Sequence, residues 1–197
     1  MKSTTKGFLI GLACGATLLV SFQVFSLMGL GLLFSSSTGQ QWVADLMLRS
    51  PHFPDTDSLS ELGHADYGWA IQTLDGETVP FSDFQGKTVF LNVWASWCSP
   101  CVMEMPSIEK LRQSIDPSKV AFVIVSREEE QAVRAFAERQ PLDLPLYIAE
   151  EVPSVFDSST VPATFIIDPT GKVVFKHTGA VKWDGAASEA FLRDVGS

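Results

Sequence analysis

The feature that most constrains the fold is a pair of cysteines placed directly after an apolar, β-branched run. The run "KTVFLNVWA", residues 87–95, is nearly continuous in apolar residues, as in a central strand that is covered on both faces. Cys98 and Cys101 follow in "CSPC", and helical periodicity extends from there to about Ser114, with an interruption at Pro106. The sequence therefore predicts a strand, a turn that carries two thiols, and a helix.

Strand and helix patterns alternate on both sides of this motif. Asp75 and Gly76 form a strong hairpin signal between two short strands. After the motif come a second buried strand, a helix, a short strand, a second hairpin and a terminal helix. This order predicts an α/β layer fold with a mixed central sheet.

The N-terminal part predicts a membrane anchor. Residues 7–34 contain no charged residue, and this run exceeds the roughly 18 to 20 residues that cross a bilayer. Lys2 and Lys6 precede it, so residues 1–6 are expected in the cytoplasm and the chain after residue 34 on the outside. The alternative is a cleaved signal peptide, whose apolar core would be shorter, at about 7 to 15 residues.

These signals predict a single-pass protein of the bacterial inner (cell) membrane, with its catalytic part in the periplasm or extracytoplasmic space. Residues 35–65 are expected to form a linker and residues 66–197 a folded domain. Gly7, Gly11 and Gly15 recur every four residues in the predicted span. That spacing is compatible with a weak transmembrane dimer, although glycine is also common in membrane helices for other reasons.

The charge balance argues against one class of partner. The formal net charge is -9, and nucleic-acid binding depends on basic residues that neutralise phosphates. No nucleic-acid partner is therefore expected. Acidic clusters such as residues 128–130 are interpreted as solvated faces.

The cysteine pair suits a redox function better than the other functions of a C-x-x-C motif. A structural zinc site needs four ligands, and haem attachment needs a histidine directly after the second cysteine, where Val102 stands. A structural disulfide that spans two residues closes too small a loop to stabilise the chain much. The other candidate ligands do not stand at the spacing of a second zinc-ligand pair: Cys14, His52, His64 and His177. The sequence predicts neither a metal nor a cofactor.

The position of the pair at the start of a helix assigns its members different roles. The positive end of the helix dipole favours thiolate over thiol at Cys98. Cys98 is therefore expected to be the exposed nucleophile. Cys101, one turn further and facing the protein, is expected to resolve the mixed disulfide.

These motifs resemble those of a known family. The segment "WASWCSPC", with "VFLNVWA" before it and "VPATFIID" some sixty residues later, resembles the thioredoxin superfamily. The longer stretch from "LDGETVPF" to "VMEMP" resembles the membrane-anchored TlpA/ResA-like thiol-disulfide oxidoreductases, which include the cytochrome c maturation thioredoxins. The similarity extends from about residue 66 to the C-terminus. It implies a thioredoxin-like fold with an N-terminal β-hairpin and an inserted β-α unit.

The resemblance also implies roles for individual residues. Cys98 and Cys101 match the redox-active disulfide, and Pro162 matches the cis-proline that faces it. Val161 would offer its backbone to an extended substrate segment, and Trp97 would form an apolar wall beside the nucleophile. Trp183, in a C-terminal loop similar to that of TlpA-like proteins, is expected in the core.

A carboxylate near the cysteines has a counterpart in the same family. Thioredoxins carry a buried aspartate in the strand before the motif, but the matching residue here is Asn92, which cannot titrate. Glu104 lies three residues beyond Cys101, on the same helix face, and matches the family's CxxE glutamate. A partly buried carboxylate there would have a raised pKa and could take the proton of Cys101. The alternative is an ordinary solvent-facing glutamate.

The leading functional prediction is an extracytoplasmic enzyme that reduces disulfides in specific client proteins, such as apocytochrome c or a copper-site subunit. By resemblance, its electrons would come from a membrane donor of the DsbD/CcdA type. One alternative is a disulfide oxidase or isomerase. Another is a thiol-based module that binds copper or a partner.

Overall fold

The computed structural model describes residues 44–54, 62–140 and 142–196, which form a mixed sheet with helices and 3-10 turns. The strands are β1 (Ala70–Thr73), β2 (Thr78–Pro80), β3 (Thr88–Trp94), β4 (Val120–Ser126), β5 (Leu146–Ile148), β6 (Ala163–Ile167) and β7 (Val173–Thr178). The helices are α1 (Ser99–Ser114), α2 (Glu130–Arg139) and α3 (Ala186–Val195), with 3-10 turns at Phe81–Phe84 and Ser154–Phe156.

Strand β3 lies near the middle of the sheet, whose order is β2-β1-β5-β4-β3-β6-β7. It pairs in parallel with β4 and antiparallel with β6, and all seven of its residues are buried. The predicted central strand and mixed sheet are thus confirmed.

Alternation along β3 sends its side chains into two separate cores, as expected for a strand covered on both faces. Phe90 and Trp94 join the core that contains the helices. Val89, Leu91 and Val93 join the core on the opposite face, beneath the aromatic residues of the 3-10 turns. Because of the period of two, Asn92 falls on the helix side, together with Phe90 and Trp94.

Helix α1 is continuous from Ser99 to Ser114, so the interruption of the pattern at Pro106 does not end the helix. The neighbouring residues Met105, Ile108 and Leu111 are fully buried in the helix-side core. Tertiary packing of this face stabilises the helix more than the loss of one backbone hydrogen bond destabilises it.

The predicted hairpins are both present. Strands β1 and β2 pair across a turn in which Gly76 has a φ of +86°, a backbone conformation that glycine adopts without steric cost. Strands β6 and β7 form the second hairpin. Between β4 and β6 the chain adds α2 and β5, and β5 links β4 to the first hairpin. This additional helix and strand lie in the segment where the resemblance implies an insertion.

Two stretches of the predicted linker pack against the domain. In residues 44–54, Ala44 is buried and the Phe53 ring joins the helix-side core. In residues 62–65, the backbone N–H groups of Leu62 and Ala65 donate to carbonyls in and next to β7. The compact unit accordingly starts at Ala44.

The predicted membrane anchor, residues 7–34, lies outside the described residues. Among the helices that the structure describes, none has the length and apolarity to cross a bilayer.

Candidate active site

Cys98 and Cys101 form a disulfide at the N-terminus of α1, with their Cα atoms 5.3 Å apart. Cys98 is the N-cap residue, and its Sγ accepts a hydrogen bond of 3.2 Å from the backbone N–H of Cys101. Pro100 occupies the first turn, where its missing N–H costs nothing. The sulfur of Cys98 therefore lies where backbone N–H groups stabilise negative charge.

The two sulfurs are less accessible than the sequence suggests. Cys98 is only 5 % exposed and Cys101 1 %, so the expectation of an exposed Cys98 is wrong for this disulfide form. The Sγ of Cys98 is bonded to Cys101 on one side and lies 3.6 Å from the carbonyl oxygen of Val161 on the other. The neighbouring Trp97, by contrast, is 73 % exposed and projects beside the pair.

The Val161–Pro162 peptide bond is cis, as the resemblance implies. Pro162 is buried directly before β6, and its carbonyl accepts from the N–H of Gly179. Its position brings the Val161 backbone against Cys98. The structure thus brings Trp97, Val161 and Pro162 to the disulfide.

A groove of about 430 Å³ runs beside this group. Its walls include Trp94, Ala95, Trp97 and Val161, and Arg127 and Glu128 also line it. A mainly apolar groove next to a reactive pair can hold an extended segment of another chain.

Glu104 is completely buried, one helical turn beyond Cys101, which excludes the solvent-facing alternative. In the described part of the chain, three N–H groups donate to its carboxylate. Asn92 Nδ2 donates to Oε1 at 2.9 Å, and the Val181 backbone N–H and Trp183 Nε1 each donate to Oε2 at 3.1 Å. No cation takes part in these bonds.

Burial raises the pKa of Glu104 from 4.5 to about 7. The desolvation of a buried carboxylate is the dominant cause, and the three N–H donors lower the pKa only in part. A carboxyl group that titrates near neutral pH can accept and return a proton during a reaction at that pH.

Asn92 is suited to both protonation states of Glu104. Its Nδ2 also donates to Thr164 Oγ1 at 2.9 Å, whereas its buried Oδ1 has no partner within the described residues. If the Asn92 side-chain amide rotates by about 180°, Oδ1 and Nδ2 exchange places. Oδ1 can then accept hydrogen bonds from the hydroxyl of Thr164 and from the protonated carboxyl of Glu104. The register that pairs Asn92 with Thr164 in β3 and β6 creates this arrangement.

The raised pKa of Glu104 predicts how stability depends on pH. Between pH 4.5 and 7 the folded protein keeps a proton that the unfolded chain releases, so this group makes the free energy of unfolding fall as pH rises. A shift from 4.5 to about 7 corresponds to about 3 kcal/mol. We expect the stability difference between the wild type and Glu104→Gln to change by about this amount between pH 4.5 and 8 in denaturant unfolding. A pH-independent difference would contradict the shift.

The partners of Glu104 in the loop before α3 were not predicted from the sequence. Trp183 is buried, as expected, but its indole N–H also reaches the carboxylate, and its backbone N–H donates to Ser107 Oγ at 3.0 Å. Val181 contributes only its backbone, which no side-chain pattern can indicate. The one available signal was that a buried indole N–H needs an acceptor.

Glu128 anchors the loop that leads into the cysteine pair. Its carboxylate accepts from the Ser96 backbone N–H at 2.6 Å and from Ser96 Oγ at 2.8 Å, and it also accepts from Ser126 Oγ at 3.0 Å. The interpretation of residues 128–130 as a solvated face is therefore wrong for Glu128. The parallel register that sets Trp94 beside Ser126 brings the ends of β3 and β4 together and makes this contact possible.

Replacement of Glu128 by alanine should loosen this loop. Ser96 would lose the acceptor of its backbone N–H, and we expect a loss of about 1 to 3 kcal/mol in the free energy of unfolding. Glu129→Ala is the matched control, because Glu129 is exposed and its side chain does not cap α2. Its effect should stay within about 0.5 kcal/mol. Equal effects of the two variants in chemical denaturation would contradict the anchoring role.

Comparisons with known proteins agree with this geometry. Residues 63–176 match the model of the AhpC/TSA family. The chain is 33% identical over 132 residues to thiol-disulfide oxidoreductase ResA of Bacillus subtilis, covering 66% of this chain and 73% of that protein. It is 36% identical over 118 residues to thioredoxin-like protein YneN of the same organism, covering 57% and 69%.

A solved structure shows the same similarity. A Chlorobium tepidum protein, described as a thiol:disulfide interchange protein DsbE, superposes with a TM-score of 0.61 at 26% identity. The match covers 71% of this chain and all of that one.

Proposed function

Because the chain belongs to the AhpC/TSA family of thioredoxin-like proteins and is a thiol-disulfide oxidoreductase, we propose that it reduces disulfides in specific client proteins outside the cytoplasm. The observation that carries the proposal is the arrangement of α1. A cysteine pair occupies its first turn, and a buried carboxylate with a pKa of about 7 lies one turn further on.

The reaction begins from the dithiol. The Cys98 thiolate attacks one sulfur of the client disulfide, an S–S bond forms between enzyme and client, and the second client sulfur leaves as a thiolate that takes up a proton. Cys101 then loses its proton to Glu104 and attacks Cys98. The Cys98–Cys101 disulfide forms, and the client leaves with both of its sulfurs reduced.

Two electrons have passed from the enzyme to the client, so a dithiol donor must reduce the Cys98–Cys101 disulfide again. By family resemblance we propose a membrane electron donor of the DsbD/CcdA type. The predicted anchor at residues 7–34 would keep the domain close to such a donor. By the same family resemblance we propose clients of the cytochrome c or metal-site assembly type.

The position of Glu104 supports a step in which Cys101 is deprotonated. The carboxylate lies at i+3 from Cys101, and the partners described above leave it free to gain a proton without breaking an ion pair. The groove beside Trp97 and Val161 supports binding of an extended client segment close to Cys98.

The reduction potential tests the proposed direction. Equilibration of the purified protein with dithiol buffers should give a value near or below that of thioredoxin, about -270 mV. A value near that of a strong oxidant, about -120 mV, would contradict the reducing direction and favour an oxidase.

A further inference from the structure

The stretch 44–54, called here the N-terminal strap, lies against the loop that holds Glu104. Asp45 forms an ion pair of 2.8 Å with Lys182 Nζ. The backbone carbonyl of Arg49 accepts a 2.8 Å hydrogen bond from the N–H of Lys182. The strap is thus bonded to the middle residue of the sequence Val181–Lys182–Trp183.

Successive residues of this loop face opposite sides. Val181 and Trp183 direct their N–H donors inward to Glu104 Oε2, while Lys182 directs its N–H and its ammonium group outward to the strap. The loop is therefore held between the buried carboxylate on one side and the strap on the other. If the strap moves away, the loop loses its outer support and is held by its bonds to Glu104 and Ser107 on the inner side.

Phe53 completes this contact from the end of the strap. Its ring stacks on Phe191 with centroids 4.5 Å apart, and it lies 4.9 Å from Phe175 and 6.4 Å from Trp183. Trp183 in turn stands edge-on to Phe90 of β3. Phe53 thus covers the aromatic cluster that contains the indole bonded to Glu104.

We propose that the N-terminal strap, through Phe53 and the Arg49–Lys182 backbone bond, is a positioning element that keeps the 181–183 loop closed over Glu104. The effect of the strap on catalysis rests on the proposed function, in which Glu104 takes the proton of Cys101. Its effect on the position of the loop does not. The family match begins at residue 63, so the strap lies outside the matched region. In this chain the segment before the matched domain helps to keep water away from the carboxylate.

A change in the titration of Glu104 can be assigned to the strap when the other charged and titratable groups near this carboxylate are known. On α1 these are the two cysteines, which are joined in a disulfide, and Lys110, which lies 3.5 Å from Asp184. On β7, His177 lies 6.4 Å from the Trp183 ring, and burial lowers its pKa. On the loop side, Lys182 is directed to Asp45 and Asp184, and on the strap His52 is exposed.

The test is the titration of Glu104 in the full-length, oxidised protein. Infrared difference spectra across a pH series report the carboxyl group, and Glu104→Gln identifies its band. In Phe53→Ala the loop should admit water, which relieves the dominant cause of the raised pKa, and the midpoint should fall by about one pH unit. Phe84→Ala is the matched control: Phe84 is also half-buried, but it packs in the core on the opposite face of the sheet.

Two outcomes would overturn the proposal: an unchanged midpoint in Phe53→Ala, or an equal fall in Phe84→Ala. If Phe53→Ala does not fold, Phe53→Leu keeps the core filled while it removes the ring contacts. That variant should lower the midpoint by less and accelerate hydrogen exchange at the Val181 amide. If neither the midpoint nor the rate of hydrogen exchange changes in Phe53→Leu, the proposal is overturned as well.

The same experiment distinguishes the strap from the proposed function. The titration uses no client, so its result does not depend on whether Glu104 takes part in exchange. A lower midpoint without a matching change in the pH profile of client reduction would support the strap and remove Glu104 from the reaction.

Discussion

Cys98→Ser is expected to reduce disulfide reductase activity to the background rate. Serine cannot form an S–S bond with the client, so the first step of the reaction is lost entirely. The activity is measured as reduction of a model protein disulfide with dithiothreitol as the electron source. Cys101→Ser should retain the first attack but stop at the mixed disulfide, so that turnover falls and, in a single turnover without dithiothreitol, a covalent adduct accumulates.

The third cysteine provides the control. Cys14 lies outside the described residues and within the predicted membrane anchor. Cys14→Ser should therefore keep the wild-type rate. Substantial activity in Cys98→Ser would show that another residue is the nucleophile.

Glu104→Gln is expected to slow resolution of the mixed disulfide by about 10²-fold at neutral pH, the usual contribution of a positioned general base. In the wild type, the rate of resolution should rise as pH increases through about 7, because Glu104 must be ionised before it can accept the Cys101 proton. The glutamine variant should lack this step. The measurement is the single-turnover release of a thiol from a preformed Cys98 mixed disulfide as a function of pH.

Glu109→Gln is a suitable control for this variant. Glu109 lies on the same helix but bonds to the backbone N–H of Asp143, away from the cysteines. Its pH profile should match the wild type. If Glu104→Gln also retains the wild-type profile, Glu104 does not carry the proton.

Much of the fold follows from local patterns in the sequence. The apolar run of β3, the helix after Cys98 and the two hairpins have periodicity or turn residues that specify them. The continuity of α1 through Pro106 was not predictable in this way, since it depends on tertiary packing of Met105 and Ile108.

The site residues that could be predicted are those that share one segment of the sequence or match a family motif. Cys98, Cys101 and Glu104 are close in sequence, and the cis bond at Pro162 followed from resemblance. Residues that match no family motif and reach the site through sheet register or loop closure were missed. Glu128 and the 181–183 loop belong to this second class, because sheet register and loop closure, not composition, bring them to the site.

The N-terminal strap illustrates the same difference. It lies in the stretch 35–65, which is rich in Ser, Thr, Asp, His and Pro and therefore typical of a linker. Its contacts in the structure show that it packs against the domain: Phe53 docks into an aromatic cluster built from β7 and α3, and the Arg49 carbonyl accepts from the N–H of Lys182.

Covalent capture of clients is the sharpest test of the proposed reaction. Cys101→Ser is expressed in the native host, and proteins bound through a reducible bond are isolated and identified by mass spectrometry. We expect adducts with specific extracytoplasmic proteins that contain cysteines, as the proposed reaction requires, and no such adducts in Cys98→Ser. Capture by Cys98→Ser but not by Cys101→Ser, or capture by neither, would contradict it.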